Sequence, residues 1–498
     1  MQHAEMQHTM TRRRLLQAGL SLPALLRGSR TPGYNVLFIA VDDLKPVTRC
    51  YGNSLAATPN IDRLASEGLM FTRAYCQQAV CSPSRTSLLT GRRPDTTRVY
   101  DLQTHFRTNL PDVVTLPQHF RNHGYETSGF SKIYHGGLDD IHSWSIPSWL
   151  PGPGLAWNTP ENARRAERAH ATLERRGMRA EPTPPRSEED RARRGPSWES
   201  RDVADNELPD GKTADAVASA LRALKDKPFF LAAGFLKPHL PFTAPKRYFD
   251  LYRNAEFHMP PNPLPPEGAP AMALHQSGEL RSYLDIPPEG PIPDGKGLEL
   301  IRAYHAAMSY TDAQVGRLLN TLDELDLRRK TVVILWGDHG WHLGDHGLWN
   351  KHTNFEQATR APLIVSVPGQ KTAGRSTASL TEFVDIYPSL AEICGLPSPQ
   401  GVEGLSFAPL LRDPGRRIKR VAFSQYPRGG AMGYSVRNER YRYTEWVVRG
   451  EGVRGIELYD YETDPLERRS IAAKWEMVTV IREARTQLEK QFRYQSRR

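Results

Sequence analysis

The chain has 498 residues, 39% of them hydrophobic and 24% charged, a composition that excludes a disordered polyelectrolyte and, at this length, favours roughly two or three compact units. Lys+Arg 66 against Asp+Glu 56 leaves a net charge of +10. That surplus either marks an anionic partner, such as nucleic acid, anionic lipid or sulfated polysaccharide, or resides in a leader and one Arg-rich insert around a nearly neutral folded body.

At the N-terminus, Thr11-Arg12-Arg13-Arg14-Leu15-Leu16-Gln17 precedes a short apolar stretch. This is the pattern of a twin-arginine export signal over residues 1–33, which implies a bacterial chain carried to the periplasm or beyond. A basic tail is the alternative, because Arg27 follows without a small-residue cleavage site. No run of about 18 apolar residues occurs, so no membrane span is expected.

Residues 35–41 read as a β-branched strand buried on both faces, ending at Asp42-Asp43. A helical pattern follows at 61–68. Cys81-Ser82-Pro83-Ser84-Arg85 reads as a turn entering a helix, with Pro83 near its start and Gly91 beyond its end. Residues 125–130 form a weaker strand leading to Lys132 and His135. Residues 158–210, dense in Arg, Glu and Pro, read as a charged surface insert. After a helix at 214–224, the strand 229–235 runs on to Lys237-Pro238-His239. A long helix at 298–325 precedes the strand 331–336 and Gly337-Asp338-His339-Gly340. Beyond Pro414, short alternating segments at 421–426, 432–436, 441–448 and 456–461 predict a small antiparallel sheet, closed by an amphipathic helix at 477–492. The expected units are a catalytic domain at 34–412 and a C-terminal subdomain at 413–498.

The β-α alternation predicts an α/β fold whose ligands bind beyond the carboxyl ends of the strands. Four strands deliver ionisable residues to that edge. Any one of these could be a solvated loop charge, but four together point to a site. The cysteines are Cys50, Cys76, Cys81 and Cys394, without metal-type spacing. Three read as small buried side chains. Cys81, at a helix N-terminus suited to an oxyanion and beside Arg85, reads from spacing alone either as a thiolate nucleophile or as a buried neighbour of the cap.

The run Cys81-x-Pro83-Ser84-Arg85, continuing to Leu89-Thr90-Gly91-Arg92, resembles the signature of the type I, formylglycine-dependent sulfatases. Val41-Asp42-Asp43-Leu44-Lys45-Pro46, Gln77-Gln78-Ala79-Val80-Cys81, Gly91-Arg92-Arg93-Pro94-Asp95-Thr96-Thr97-Arg98, Lys237-Pro238-His239, Gly337-Asp338-His339-Gly340-Trp341 and Lys351-His352-Thr353-Asn354-Phe355 are similar to the iduronate-2-sulfatase-like members.

The resemblance implies an alkaline-phosphatase-like fold: a large, mostly parallel central sheet flanked by helices, plus the small C-terminal subdomain. It implies hydrolysis of a sulfate ester on a carbohydrate by formylglycine (3-oxoalanine) derived from Cys81. One hydroxyl of the hydrated aldehyde attacks sulfur and the other later expels sulfate. A formylglycine-generating enzyme is then a partner, nucleic acid is not, and the motifs carry no reading of oligomeric state.

The implied metal ligands are Asp42, Asp43, Cys81 in its modified form, Asp338 and His339, a hard oxygen set suited to Ca²⁺, with Mg²⁺ as the alternative. Many sulfatases carry Asp-Asn where this chain has Asp338-His339, so His339 is either a direct ligand or a donor behind the ligands. Arg85 is expected to orient the diol, and Lys132 and His135 to hold the nucleophile and the sulfate. Lys351 is expected to bind sulfate, and His239 to bind substrate and serve as the acid.

His305, His342, His346 and His352 read as structural or rim residues, and Trp336 as core packing. Two other readings stand beside this one. One is a phosphatase or phosphodiesterase of the same superfamily, which resembles this chain in fold but uses Ser or Thr and two zinc ions. The other is a non-catalytic glycan-binding pseudosulfatase. The motifs grip the sulfate, whereas the sugar is expected to be selected by the loops at 101–109 and 144–160, the insert, and residues 429–434.

Overall fold

The structure, a computed structural model, describes residues 33–151 and 194–492. The export segment up to residue 32 and the 158–193 part of the insert lie outside the described residues. No described helix is long and apolar enough to cross a membrane.

The predicted apolar runs all become strands of one sheet. Strands β1 (Asn35–Val41), β2 (Leu69–Phe71), β3 (Glu126–Ser131), β4 (Phe229–Phe235), β5 (Thr331–Gly337), β6 (Leu363–Ser366) and β7 (Arg375–Thr377) lie in the order β7-β2-β6-β5-β1-β4-β3. β1 pairs in parallel with β4 and β5, and β3 pairs in parallel with β4; β6 runs antiparallel to β5 and β2. The register sets Val41 beside both Phe235 and Gly337, so the three central strands end in line.

Continuous apolar runs suit this sheet because successive residues feed opposite cores. Leu37, Ile39 and Val41 of β1 pack with α1 (Pro59–Glu67) and with helices over residues 209–223 and 294–324. Val36, Phe38 and Ala40 face the other way, toward α2 (Cys81–Thr90) and α3 (Leu116–Asn122). We label the first pair α4 (Pro209–Ala223) and α5 (Asp294–Glu324). Each large aliphatic side chain so buried contributes about 1.5–3 kcal/mol. The result is the mostly parallel sheet between two helical layers that the sequence predicts.

The C-terminal sheet is also as predicted: β8 (Ala422–Arg428), β9 (Ala431–Arg437), β10 (Tyr441–Val448) and β11 (Gly452–Asp460) form an antiparallel meander in chain order. A final helix, Val478–Phe492, lays Ala484 and Leu488 onto Phe423, Val436, Tyr443 and Leu458. Polar contacts bind this sheet to the body. Arg442 donates to Glu356 at 2.7 Å, and Arg442 and Arg437, opposing burial, hold the Glu356 carboxyl down at about 2.

One boundary is corrected. The charged-insert reading extended to residue 210, yet Trp198–Arg201 pairs in parallel with Phe242–Pro245, and Ser197, Leu208 and Asp210 are buried. Asp210 accepts the backbone N–H groups of Leu236 and Lys237, both at 2.8 Å. Burial here depends on hydrogen-bonded polar side chains rather than on apolar periodicity, so composition misreads it. Cys50, expected buried, is half-buried, and all four cysteines are free.

A close approach at the end of β4 sets the site's geometry. A Cβ added at Gly234 would lie 2.3 Å from the carbonyl oxygen of Lys132. Gly234→Ala is therefore expected to lower stability by about 1–3 kcal/mol in urea unfolding. Gly295→Ala, in a helix with nothing within 4 Å, should be neutral or stabilising by up to about 1 kcal/mol.

Candidate active site

The three central strands deliver their next residues to one point. Asp42 N–H donates to the carbonyl of Phe235 at 3.0 Å, and Asp338 N–H to that of Val41 at 3.3 Å. Asp43 leaves β1 at φ 59, a left-handed turn that aspartate tolerates better than most side chains. Its own N–H donates to Asp338 Oδ1 at 3.0 Å.

Beneath these carboxylates lies Arg85, on α2 and fully buried. Its Nε donates to Asp338 Oδ2 at 2.9 Å and its Nη2 to Asp42 Oδ1 at 3.2 Å. Its Nη1 donates to the carbonyls of Lys132 and of Ile133, the latter at 3.2 Å. One guanidinium thus joins the ends of β1, β3 and β5 through a fixed fork.

Every residue of α2 is buried, and Gly91, at φ 65, caps its C-terminus. Cys81 opens the helix, so its side chain sits at the positive end of the dipole. Its Sγ lies 3.5 Å from His339 Nε2 and 3.7 Å from Lys132 Nζ. Burial and then Asp42 raise the Cys81 thiol well above its ordinary value. A thiolate is disfavoured there.

Lys132 Nζ also donates to Asp42 Oδ2. Burial alone would raise Asp42, but Lys132, His239 and Arg85 hold its carboxyl well below the usual range. Asp43 goes the other way. Burial and the neighbouring Asp42, Glu279 and Asp338 raise it despite Lys351, whose Nζ lies 3.0 Å from Asp43 Oδ1. Such a surplus of facing carboxylates is relieved by a cation.

The donor set fits one. Ligand atoms of Asp42, Cys81, Asp338 and His339 all lie within 4.8 Å of one another, as do those of Asp42, Asp43, Cys81 and His239. His339 Nδ1 donates to the Gly340 carbonyl at 2.9 Å, which leaves the Nε2 lone pair aimed at the carboxylates, 3.3 Å from Asp43 Oδ1. Burial holds this imidazole's pKa down at about 4. The neutral ring therefore adds a nitrogen donor beside the carboxylate oxygens.

His239 donates from Nδ1 to the Leu240 carbonyl at 2.5 Å. Its Nε2 lies 3.2 Å from Glu279 Oε1, and its side chain is 27% exposed. Burial and Lys351 press its pKa down to about 3, so the ring is neutral, with its proton on Nδ1. Solvent reaches this edge. His135 is neutral, held at about 3 by burial and Lys132, and its Nδ1 is buried without a partner. Lys351 Nζ stacks 4.8 Å over the ring of Trp341.

The structure therefore brings together Asp42, Asp43, Cys81, Arg85, Lys132, His239, Asp338, His339 and Lys351, with His135 facing them. Sequence reasoning missed Glu279. It lies on the four-residue helix Gly278–Arg281, is buried, and meets Lys351 at 3.1 Å and His352 Nε2 at 3.4 Å. No strand run or motif leads to it, and a short helix carries too little periodicity to mark it. His352 in turn pairs through Nδ1 with the Tyr426 hydroxyl at 2.8 Å and accepts Arg428 at its carbonyl, so the C-terminal sheet reaches the site. His305, His342 and His346 bond to Ile301, Thr353 and Leu466 away from the cluster, and Trp336 is core.

Comparison with known proteins matches the family model described as Sulfatase to residues 34–396, and that of the N-sulphoglucosamine sulphohydrolase C-terminal region to residues 344–494. The chain is 34% identical to iduronate 2-sulfatase of Mus musculus, over 89% of this chain and 91% of that one. Its fold is similar to that of a protein solved with its substrate D-glucosamine-2-N,6-O-disulfate, at TM-score 0.73 and 21% identity, covering 92% and 98% of the two chains. It is also similar to phosphonate monoester hydrolase of Agrobacterium radiobacter, at TM-score 0.69 and 22% identity, covering 92% and 96%.

Burial raises the Glu279 carboxyl, and Lys351, His352 and His239 more than reverse that, leaving it well below its ordinary value. A depressed carboxylate contributes stability that is present above the unfolded value of about 4.3 and lost as pH falls below it. Glu279→Gln is expected to lower stability at neutral pH by up to about 3–5 kcal/mol, by leaving Lys351 undercompensated. It should also flatten the acid limb of stability against pH, read by denaturant unfolding between neutrality and acid.

Proposed function

This chain belongs to the sulfatase family and is a sulfuric ester hydrolase; from that premise we propose that it removes sulfate from a sulfated carbohydrate, in the manner of an iduronate-2-sulfatase, through a formylglycine made from Cys81. The observation that carries the reading is the position of Cys81 Sγ at the first residue of a buried helix, 3.7 Å from Lys132 Nζ and 3.5 Å from His339 Nε2, above the carboxylates that Arg85 holds.

Asp42, Asp43, Asp338 and His339 would hold the divalent cation, and three carboxylate donors favour Ca²⁺, with Mg²⁺ as the alternative. Such a cation supplies Lewis acidity and lowers the pKa of a hydroxyl beside it. As a hydrated aldehyde, residue 81 supplies an alcohol nucleophile whose second hydroxyl releases sulfate by re-forming the carbonyl.

The protein's own groups do the rest. Arg85, immobile among four acceptors, keeps Asp42 and Asp338 from rotating away. Lys132 and Lys351 bring fixed positive charge beside residue 81, where sulfate oxygens gain negative charge. His135 presents a neutral imidazole beside Lys132 and Asp42. His239 Nε2, 3.2 Å from Glu279 at the solvent-reached edge, would carry the proton to the departing alcohol.

Position 81 carries Cys at the head of the Cys81-x-Pro83-Ser84-Arg85 run, where the phosphatase reading expects Ser or Thr. That supports a sulfatase over a two-zinc phosphatase. Retention of every expected polar group supports a catalyst over a glycan-binding relative. The 34% identity to an iduronate 2-sulfatase supports the substrate class. Export by the twin-arginine route remains part of the proposal.

The test is hydrolysis of a chromogenic aryl sulfate and of its phosphate analogue, with and without chelator. We expect sulfate to be preferred, chelation to abolish turnover, and Ca²⁺ to restore it. Cys81→Ala should lower kcat by a factor on the order of 10⁴–10⁶. Peptide mass analysis should find residue 81 lighter than cysteine by conversion to the aldehyde. An unmodified thiol in the active enzyme would falsify the formylglycine assignment.

A further inference from the structure

A cleft of about 1420 Å³ lies between the catalytic body and the C-terminal sheet. Arg98, Arg420, Arg449 and Lys490 line it and are exposed. Among the described residues none of the four is paired with a carboxylate.

The two carboxylates within the cleft are already bonded. Asp95 accepts from the hydroxyls of Tyr100 at 2.9 Å and Tyr434 at 3.2 Å, and from the Gln425 amide at 2.8 Å. Glu403 accepts from the Arg93 N–H at 2.6 Å and the Thr96 hydroxyl at 2.5 Å. Much of the chain's positive surplus falls in the sequence outside the described residues, which leaves the body close to neutral. The cations around this cleft are therefore a local concentration.

The lining is also aromatic. Tyr434 and Phe492 pack with ring centroids 4.4 Å apart, and Phe423 lies 5.8 Å from Phe492. Aromatic faces flanked by cations suit a polyanion whose repeating units have apolar faces.

The cleft shares an element with the active centre. In the hairpin of β8 and β9, alternation separates two faces. Tyr426, Arg428 and Gly433 face the body, where the first two meet His352 and the third meets Asn354. Phe423, Met432 and Tyr434 face the cleft. The two faces converge at the tip, where Gly430 lines the cleft two residues beyond Arg428.

We propose that this cleft is a second binding site, which holds a sulfated stretch of the same polysaccharide chain whose reacting ester occupies the active centre. The assignment of a sulfated glycan rests on the proposed function above. Continuity through the hairpin favours it over nucleic acid.

The test is the variant Arg420→Ser/Arg449→Ser/Lys490→Ser, three exposed positions whose replacement should leave the fold intact. Heparin is the binding probe, and kinetics are compared on a sulfated polysaccharide and on a small aryl sulfate. The variant should leave immobilised heparin at lower NaCl, and its KM for the polymer should rise roughly 3- to 100-fold. Its kcat/KM on the aryl sulfate should change less than about twofold.

Unchanged heparin elution together with unchanged polymer KM overturns the proposal. So does single-stranded RNA that displaces the protein from heparin as well as a sulfated glycan of matched charge. If the wild-type protein hydrolyses no sulfate ester while heparin retention still falls in the variant, the sulfatase mechanism has failed and the cleft's affinity stands.

Discussion

The organisation of this protein depends on a single buried cation. Arg85 is removed from water completely, and its guanidinium is satisfied only because Asp42, Asp338 and the carbonyls after β3 arrive together. Burying an unpaired charge costs several kcal/mol, so each of these partners is bound to the presence of the others. The in-line ends of β1 and β5 follow from the same requirement, since either strand one residue longer or shorter would carry its carboxylate out of the fork's reach. The acidic cluster, the helix that presents Cys81 and the lysine that closes over Asp42 are held by this contact.

Much of this was legible in the chain. Continuous β-branched runs that stop at charged residues locate Asp42, Asp43 and Asp338. Pro83 lies in the first turn, and Gly91 just beyond the end, of the helix that carries Cys81 and Arg85. Those signals work because a parallel strand must be apolar on both faces and a helix must be started and stopped by particular backbones. Glu279 was not legible, because a four-residue helix in a region rich in proline leaves no period to read. Nor was the place of residues 194–210 in the body, where hydrogen-bonded polar groups such as Ser197 and Asp210 are buried in place of apolar ones. The antiparallel entry of β6 into the sheet, over only four residues, falls below what periodicity distinguishes.

The C-terminal sheet joins two scales of recognition. Its inward face supplies Tyr426 and Arg428 to the neighbourhood of Lys351, while its outward face, with the last helix, forms a basic aromatic cleft. The buried network of Glu356 with Arg437 and Arg442 fixes the sheet against the body. A rigid junction of this kind keeps the geometry between the two faces constant.

The distance along the chain between Cys81 and His339 sets a clock. The two residues are 258 positions apart, and β5, which leads to His339, is among the last strands of the sheet to be synthesised. At translation rates of about 5–20 residues per second, the segment around Cys81 emerges roughly 13–50 s before the strand that seals it is complete. During that interval a thiol that is 2% exposed in the finished protein is open to any enzyme that works on extended chains. Afterwards residue 81 is held at the buried head of α2.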